Sequence, residues 1–280
     1  MSNAGVRTGR PFSDAHVLQD LGEGRFRADL DDVWAIGPKA FGGLLMVLMT
    51  DAALARLAAG GAPGLDPLAV SADFLRAPDL APVDIEAEPL KLGRTISSVV
   101  VRLSQGGRLM LHATVTAGVL ADPAADGAVR WQGAPSPLEP APPADAIDPA
   151  DAPGGPQGIA AACEMRYRRG SLPFLTGDTG APEMAGWVRP RGEEPDLLFA
   201  LMAGDILPPT VFNLGGSTGW APTVQLTALL RARPAPGWLR VSSHASAVVG
   251  TQFDEDVTVV DSAGRVVCQA RQLALAPLQG

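Results

Sequence analysis

Residues 264–270 read Gly-Arg-Val-Val-Cys-Gln-Ala, and residues 107–113 read Gly-Arg-Leu-Met-Leu-His-Ala. Upstream of them, residues 227–232 (Thr-Ala-Leu-Leu-Arg-Ala) and 72–77 (Ala-Asp-Phe-Leu-Arg-Ala) also resemble each other. The spacing from the upstream arginine to the arginine of the Gly-Arg pair is 34 residues in the second half, from Arg231 to Arg265. It is 32 residues in the first half, from Arg76 to Arg108. Similar segments at nearly equal spacing predict an internal duplication.

Each half contains one predicted helix followed by a run of predicted strands. In the first half, the helical segment from Phe41 to Ala52 is apolar on almost every side, so this helix must be buried. In the second half, Glu193-Glu194-Pro195-Asp196 is a typical helix start, and Pro208-Pro209 is expected to end that helix. The predicted strands are 83–90, 97–103 and 109–119, then 223–230, 239–247, 256–260 and 266–275. This order indicates an antiparallel sheet curled around a helix in each half.

Residues 121–158 are dominated by Pro, Ala, Asp and Gly. This composition is typical of a linker that holds neither a helix nor a sheet. It divides the chain into two halves of similar size, so the repeat corresponds to two domains.

The composition and charge exclude several classes of protein. Of the 280 residues, 46% are hydrophobic, which is enough for a sizeable core. The net charge of −8 disfavours binding to nucleic acid or to anionic lipid. No secretory signal is recognisable, and the most apolar run, 41–49, is too short to cross a membrane. Because only two cysteines occur, Cys163 and Cys268, a cytoplasmic location is expected.

Three short motifs follow one another in the first half, and their order and spacing are informative: Phe41-Gly42-Gly43, Phe74-Leu75-Arg76-Ala77-Pro78 and Leu92-Gly93-Arg94-Thr95-Ile96-Ser97. Together they resemble the double-hotdog acyl-CoA thioesterases, the group that includes bacterial thioesterase II and many thioesterase-like proteins. The resemblance implies an α+β double hotdog, with two tandem antiparallel sheets each wrapped around a central helix. The implied parts are an N-terminal hotdog domain (13–120), a Pro/Ala-rich linker (121–159) and a C-terminal hotdog domain (160–277) that carries the catalytic site.

The same resemblance implies three catalytic residues. In thioesterase II, an Asp on the second hotdog helix, a Thr that opens a later strand and a Gln on the last strand position the hydrolytic water. These correspond here to Asp205, Thr223 and Gln272. One departure is Gln225-Leu226-Thr227, where a more polar Asp-His-Ser run is usual. It concerns the acyl-chain preference more than the reaction.

The spacing around Asp205 supports its role. Asp205 follows Leu201 by four residues and Leu198 by seven, so on a helix its carboxylate points toward the core. A buried carboxylate either finds hydrogen-bond donors or has a raised pKa, and both suit a group that orients or deprotonates water. The alternative is an Asp that only stabilises the turn before the two prolines.

Gln272 shares the apolar face of its predicted strand with Cys268 and Ala270. Its amide can donate and accept, as a water-positioning group must, although a backbone hydrogen bond would also satisfy it. Thr223 opens a strand, which threonine does by propensity alone, so its role depends on the resemblance.

Gly42 and Gly43, at the start of the first helix, are the predicted substrate-binding residues. Helix-start N–H groups can polarise a thioester carbonyl, and glycine lets a ligand approach the backbone closely. Close packing of these glycines is the alternative. With Asp205 as general base, a water held by the three catalytic side chains would attack the carbonyl. This mechanism calls for no covalent intermediate, no cofactor and no metal.

Three other features of the sequence suggest a different catalytic group or a phosphate-binding site. Gly215-Gly216-Ser217-Thr218-Gly219 matches the G-x-S-x-G motif of serine hydrolases, but no acidic residue lies between Ser217 and His244, so a flexible glycine loop is expected. Cys268 has no nearby base and is expected to be a core residue. Arg166, Arg168 and Arg169 alternate on a predicted strand, where they fit phosphates of CoA and a solvated face equally well.

We therefore expect an acyl-CoA thioesterase with one site, because Val115 occupies in the first half the position that Gln272 occupies in the second. The alternative is a non-catalytic hotdog protein that binds acyl-CoA or lipid. Acyl-CoA is the expected partner, and neither nucleic acid nor a membrane is expected. The oligomeric state stays open between a monomer and a homodimer, since a fused pair already completes the sheet that single hotdogs dimerise to build.

Overall fold

The computed structural model describes residues 9–122, 125, 128–133, 136–149 and 158–277; the remaining positions of the predicted linker, 123–124, 126–127, 134–135 and 150–157, lie outside the described residues. The helices are α1 (Pro11–Ala15), α2 (Gly42–Ala59), α3 (Ile159–Ala162) and α4 (Leu197–Ala203). The strands of the first half are β1 (Gln19–Asp20), β2 (Arg25–Ala28), β3 (Ala35–Ile36), β4 (Lys39–Ala40), β5 (Asp66–Phe74), β6 (Val83–Lys91), β7 (Ile96–Gln105) and β8 (Arg108–Gly118). Those of the second half are β9 (Cys163–Tyr167), β10 (Glu183–Pro190), β11 (Thr223–Leu230), β12 (Leu239–His244), β13 (Val248–Val249), β14 (Gln252–Val260) and β15 (Val266–Leu275).

One antiparallel sheet runs through both halves. Its strand order is β1-β2-β6-β7-β8-β5-β11-β15-β14-β12-β10-β9, with β13 paired to β14. The halves join where β5 pairs with β11, and Val70 lies opposite Ala228 there. Outward from this junction the order is β5-β8-β7-β6-β2 in the first half and β11-β15-β14-β12-β10 in the second. Both halves therefore repeat one strand order, as the internal duplication predicts.

Helix α2 fills the inner side of the first half. Each residue from Leu44 to Met49 is at most 1% exposed. Burying one large apolar side chain stabilises a fold by about 1.5–3 kcal/mol, so a helix of this composition belongs in a core. It packs against β5, β6, β7, β8 and α4. Its length and mean hydropathy of 1.5 would also fit a membrane span, but 61% of it is buried inside the protein.

Helix α4 of the second half is shorter than predicted. It begins as expected, because the Asp196 carboxylate accepts a 2.7 Å hydrogen bond from the Phe199 N–H. The expectation that Pro208-Pro209 ends it is wrong, since the helix stops at Ala203 and Gly204 caps it. A Cβ at Gly204 would lie only 3.1 Å from the Ala270 Cβ, so glycine allows the end of α4 to approach β15.

Five of the seven predicted strands are confirmed to within two residues at each end, whereas β12 ends three residues earlier and β14 begins four residues earlier than predicted. Strand β10 was not predicted. Its residues from Met184 to Val188 are all buried, so it lacks the alternation of polar and apolar residues that marks a strand with one solvated face.

The described part of the predicted linker covers β10. Leu138 packs with Ala185 and Trp187, and the Trp187 Nε1 donates a 2.8 Å hydrogen bond to the Glu139 carbonyl. Further along, Ile147 forms an isolated bridge with Tyr167 of β9. Residues 136–149 are therefore packed on the second half and are not a free spacer.

Candidate active site

Gln272 lies within β15, between two strands that bring polar side chains to it. Glu255 of β14 is directly opposite. Gln272 is 9% exposed and Glu255 is 3% exposed, so their polar atoms need partners inside the protein. The Gln272 Nε2 donates to the Glu255 Oε2. On the other side, the Thr223 Oγ1 donates to the Gln272 Oε1 over 2.7 Å. The fold thus brings the predicted pair Thr223 and Gln272 into contact.

Thr223 reaches Gln272 because β11 contains a bulge at its start. Leu226 faces the core, so regular alternation would place Thr223 on the opposite face. The pairing with β15 shifts just after Thr223, which lies opposite the buried Ala274, while the extra residue Val224 is 37% exposed. The bulge re-aims the threonine hydroxyl toward the core.

Glu255 is a site residue that the sequence reasoning missed. Its Oε1 accepts a 2.5 Å hydrogen bond from the N–H of Thr210, the first residue of a 3-10 helix (Thr210–Leu214). Burial raises the pKa of Glu255, although the hydrogen bonds from Thr210 and Gln272 act in the opposite direction. A signal was present, since Phe253, Glu255 and Val257 alternate with more exposed residues. The predicted strand began one residue too late to include the glutamate.

Asp205 lies in the turn after α4. The expectation that a helical stripe with Leu201 aims it at the core is wrong, because the helix ends two residues earlier. Its carboxyl is nevertheless directed inward, toward the first turn of α2, where the Gly43 N–H lowers its pKa. A Cβ at Gly42 would lie 2.9 Å from the Asp205 Oδ2. The carboxyl of the second half therefore contacts the start of α2 in the first half.

The surroundings of Asp205 make its carboxyl a weak acid. Burial raises the pKa of Asp205 to about 7, and the negative charge of Glu255 raises it as well, while the Gly43 N–H acts in the opposite direction. Asp205 keeps partial exposure as a residue, so water can reach it although the protein around its carboxyl removes much of its hydration. A carboxyl with a pKa near 7 can accept a proton from water and release it again.

Both glycines at the start of α2 are needed for close packing. A Cβ at Gly43 would lie 2.7 Å from the Phe41 ring and 3.1 Å from Met202, and one at Gly42 would lie 3.1 Å from the Phe74 ring. The Gly43 N–H also lies close enough to the Asp205 carboxyl to lower its pKa. The structure favours the packing alternative for Gly43 and adds the anchoring of Asp205 to it.

Valines occupy the matching positions in the first half. Val99 of β7 lies opposite Val115 of β8, just as Glu255 of β14 lies opposite Gln272 of β15. Both valines are fully buried. The polar pair therefore belongs to the second half alone, as the position of Val115 predicts.

The alternative nucleophiles lie in unsuitable surroundings. Ser217 is exposed between the 3-10 helix Thr210–Leu214 and β11, and its Oγ accepts a 3.2 Å hydrogen bond from the Gly219 N–H. A serine-hydrolase elbow needs a strand before the serine and a helix after it, so the glycine-loop prediction is confirmed. Burial raises the pKa of Cys268 to about 12, which keeps that thiol protonated.

The three arginines of the predicted phosphate-binding strand each form an ion pair with a carboxylate. The pairs are Arg166 with Asp148 at 2.6 Å, Arg168 with Glu183 at 3.7 Å and Arg169 with Asp145 at 3.2 Å. These contacts favour the solvated face over a phosphate site.

Two family models match the two halves of the chain. Residues 30–118 match the model described as acyl-CoA thioesterase N-terminal domain, and residues 138–276 match the model described as acyl-CoA thioesterase C-terminal domain. An uncharacterized protein of Mycobacterium tuberculosis is 42% identical over 271 residues, which cover 91% of each chain.

Solved structures show the same fold. A "putative thioesterase II" from Thermobifida fusca is 34% identical, has a TM-score of 0.82 and is matched over 95% of this chain and 97% of its own. A protein of unknown function with a hot dog fold, from Alicyclobacillus acidocaldarius, is 22% identical with a TM-score of 0.78 over 95% of this chain and 98% of its own. At that lower identity the likeness concerns the fold alone.

Proposed function

Since the chain belongs to the acyl-CoA thioesterase family, we propose that it hydrolyses acyl-CoA to a carboxylic acid and free CoA by direct attack of water. The fold proposed for it is a double hotdog, with domains 13–120 and 160–277 joined by the linker 121–159. The shared strand order of the two halves and the central positions of α2 and α4 support this fold.

In the proposed reaction Asp205 is the general base. Its carboxylate takes a proton from a water molecule while the water oxygen bonds to the thioester carbonyl carbon. Gln272 holds this water with its amide, and Thr223 holds Gln272. The tetrahedral intermediate then collapses, the C–S bond breaks, and the proton on Asp205 passes to the departing thiolate of CoA.

The negative charge that develops on the carbonyl oxygen needs a donor. The first N–H groups of a helix have no partner within it and lie at the positive end of its dipole. Gly42 is the first residue of α2 and lies against Asp205, so its N–H is the proposed donor to the oxyanion. Gly43 takes part by holding the base.

One observation carries the proposal: Asp205 has a pKa of about 7 and lies at the junction of the two halves, against a helix start. A fully solvated Asp has a pKa of about 3.9 and is a poor base at neutral pH. The environment of Asp205 thus fits a group that exchanges a proton with water during each turnover.

The test is the release of free thiol from a panel of acyl-CoAs. Asp205→Asn is expected to lower kcat by about 100-fold or more, and Gln272→Ala by at least about 10-fold. Ser217→Ala, in the exposed glycine loop, is the control and should keep full activity. Binding of a non-hydrolysable acyl-CoA analogue, measured by calorimetry, should persist in Asp205→Asn.

The rival from another class is a hotdog protein that binds acyl-CoA or lipid without turnover. If the parent protein binds the analogue, and its thiol release is no greater than that of the two variants for every acyl-CoA in the panel, this rival is correct.

The proposal also includes a location and an assembly state. We place the protein in the cytoplasm, since Cys163 and Cys268 are both free thiols and buried. The proposed chemistry uses no cofactor, no metal, no nucleic acid and no membrane, and the protein acts as a monomer or a homodimer.

A further inference from the structure

We propose that Glu255 is a positioning residue of this site: it fixes the Gln272 amide in one orientation and couples it to the Asp205 carboxyl. This inference builds on the proposed function, because it assigns a task to a side chain within the same site.

The orientation of an amide depends on what its two ends face. Glu255 accepts from the Gln272 Nε2 with one oxygen and from the Thr210 N–H with the other. Because both carboxyl oxygens act as acceptors, the NH₂ end of Gln272 faces Glu255. The carbonyl end then faces Thr223, whose hydroxyl has to donate. Glu255 thereby determines the direction of both hydrogen bonds.

A correctly oriented amide leaves defined groups for the water. One N–H of Gln272 is used by Glu255, and the second remains for the water or for the substrate carbonyl. With an apolar residue at 255, the amide could rotate by half a turn and present its oxygen instead. Val99, the counterpart in the first half, is such a residue and lies opposite Val115. Glutamate therefore occurs opposite the glutamine in the second half, whereas valine occurs opposite the valine in the first.

Glu255 also holds the segment that carries the base. Asp205 and Thr210 lie five residues apart in the chain. One end of this segment lies against Gly42 at the start of α2, and the other is attached to β14 by the Glu255 carboxyl. The segment that leads from Asp205 to Thr210 is therefore fixed to both α2 and β14.

The charge of Glu255 also influences the pKa of Asp205. Its hydrogen-bond donors, Thr210 and Gln272, are neutral. On the more exposed face of the strand, Asp254 and Asp256 both pair with Arg271, over 3.1 Å and 3.6 Å. In its ionised form Glu255 raises the pKa of Asp205, to whose segment it is attached through the Thr210 N–H.

The test uses Glu255→Gln, Glu255→Asp and Glu255→Val, with Asp256→Asn as the matched control on the opposite face of the same strand. We expect kcat to fall about 10-fold to 100-fold in Glu255→Val and Glu255→Gln, with KM changed by less than about threefold. The acid limb of the kcat/KM profile should move to lower pH in Glu255→Gln. Glu255→Asp should keep that limb near its original position, because the charge is retained.

A second measurement does not depend on turnover. The Gln272 side-chain ¹⁵N resonances should move in Glu255→Gln and Glu255→Val but not in Asp256→Asn, and the ¹³C titration of the Asp205 carboxyl should shift to lower pH in Glu255→Gln. If the parent releases no thiol, the proposed function fails, yet these spectra still test Glu255. If kcat, the acid limb and both spectra match those of the parent in Glu255→Gln, then Glu255 has no positioning role, whether or not Glu255→Val folds.

Discussion

The backbone of Gly42 lies against the Asp205 carboxyl, since a Cβ at Gly42 would lie 2.9 Å from the Asp205 Oδ2, so the central helix of the first half meets the proposed base of the second. The positive end of a helix dipole stabilises negative charge in its first turn. This contact offsets part of the cost of ionising a carboxyl that burial makes weakly acidic. The site therefore depends on both halves, although its polar side chains come from one.

Replacing Gly42 by alanine should displace the base. The new Cβ would lie 2.9 Å from the Asp205 Oδ2 and 3.1 Å from the Phe74 ring, so the carboxyl must move. We expect kcat for thiol release to fall about 10-fold to 100-fold, with a loss of about 1–3 kcal/mol in the free energy of unfolding. Gly60→Ala, at the other end of the same helix and with its nearest contacts at 3.4 Å, is the control. Full activity in Gly42→Ala would contradict this contact.

The activity should rise with pH through the pKa of Asp205. Because this carboxyl has a pKa of about 7 and must be ionised to act as a base, kcat/KM should increase about tenfold per unit below pH 7 and level off above it. Stopped assays of thiol release between pH 5 and pH 9 would measure this limb. An acid limb near pH 4 would contradict the raised pKa of Asp205, because it is where an unperturbed carboxylate titrates.

The stability of the parent should change with pH in the opposite sense. The pKa of Asp205 in the folded protein, about 7, is above the unfolded value of about 3.9, so the folded state binds the proton more tightly. This contribution is fully present below pH 4 and is lost as the pH rises through 7. Asp205→Asn should therefore be more stabilising at pH 8 than at pH 5, as measured by urea unfolding. An equal effect at the two pH values would show that the carboxyl is not perturbed.

Thr223→Val should weaken activity without unfolding the protein. Valine has the shape of threonine but cannot donate to the Gln272 Oε1, which lies 2.7 Å from the threonine hydroxyl. We expect kcat to fall about tenfold and the melting temperature to change by only a few degrees. Thr258→Val on β14, where the threonine side chain is partly exposed, is the control. A fall in melting temperature without a fall in kcat would indicate a structural hydrogen bond only.

Much of the fold could be predicted because its signals are local. Helix α2 is apolar on almost every side, and its burial follows directly from that composition. The alternation on β15 predicted that Gln272 faces the core, and Gln272 is 9% exposed. The repeated strand order follows from the similar spacing of the two Gly-Arg pairs.

The rest of the fold and of the candidate site depends on contacts between distant parts of the chain. The inward side chain of Thr223 requires a bulge, which appears only in the pairing of β11 with β15. The end of α4 depends on how closely Gly204 approaches β15. Glu255 became visible as a site residue only when the pairing placed it opposite Gln272. No periodicity in one segment contains this information.

The packed segment 136–149 changes where the second repeat starts. A second half cut away at Ala160 would lose Leu138 and expose Ala185 and Trp187, which it covers. Apolar surface of this kind beside short edge strands promotes aggregation. Recombinant dissection of the two repeats should therefore begin the second piece before Pro137. A stretch whose composition suggests a dispensable spacer would then tolerate deletion poorly, since it supplies the outer wall of the repeat that follows it.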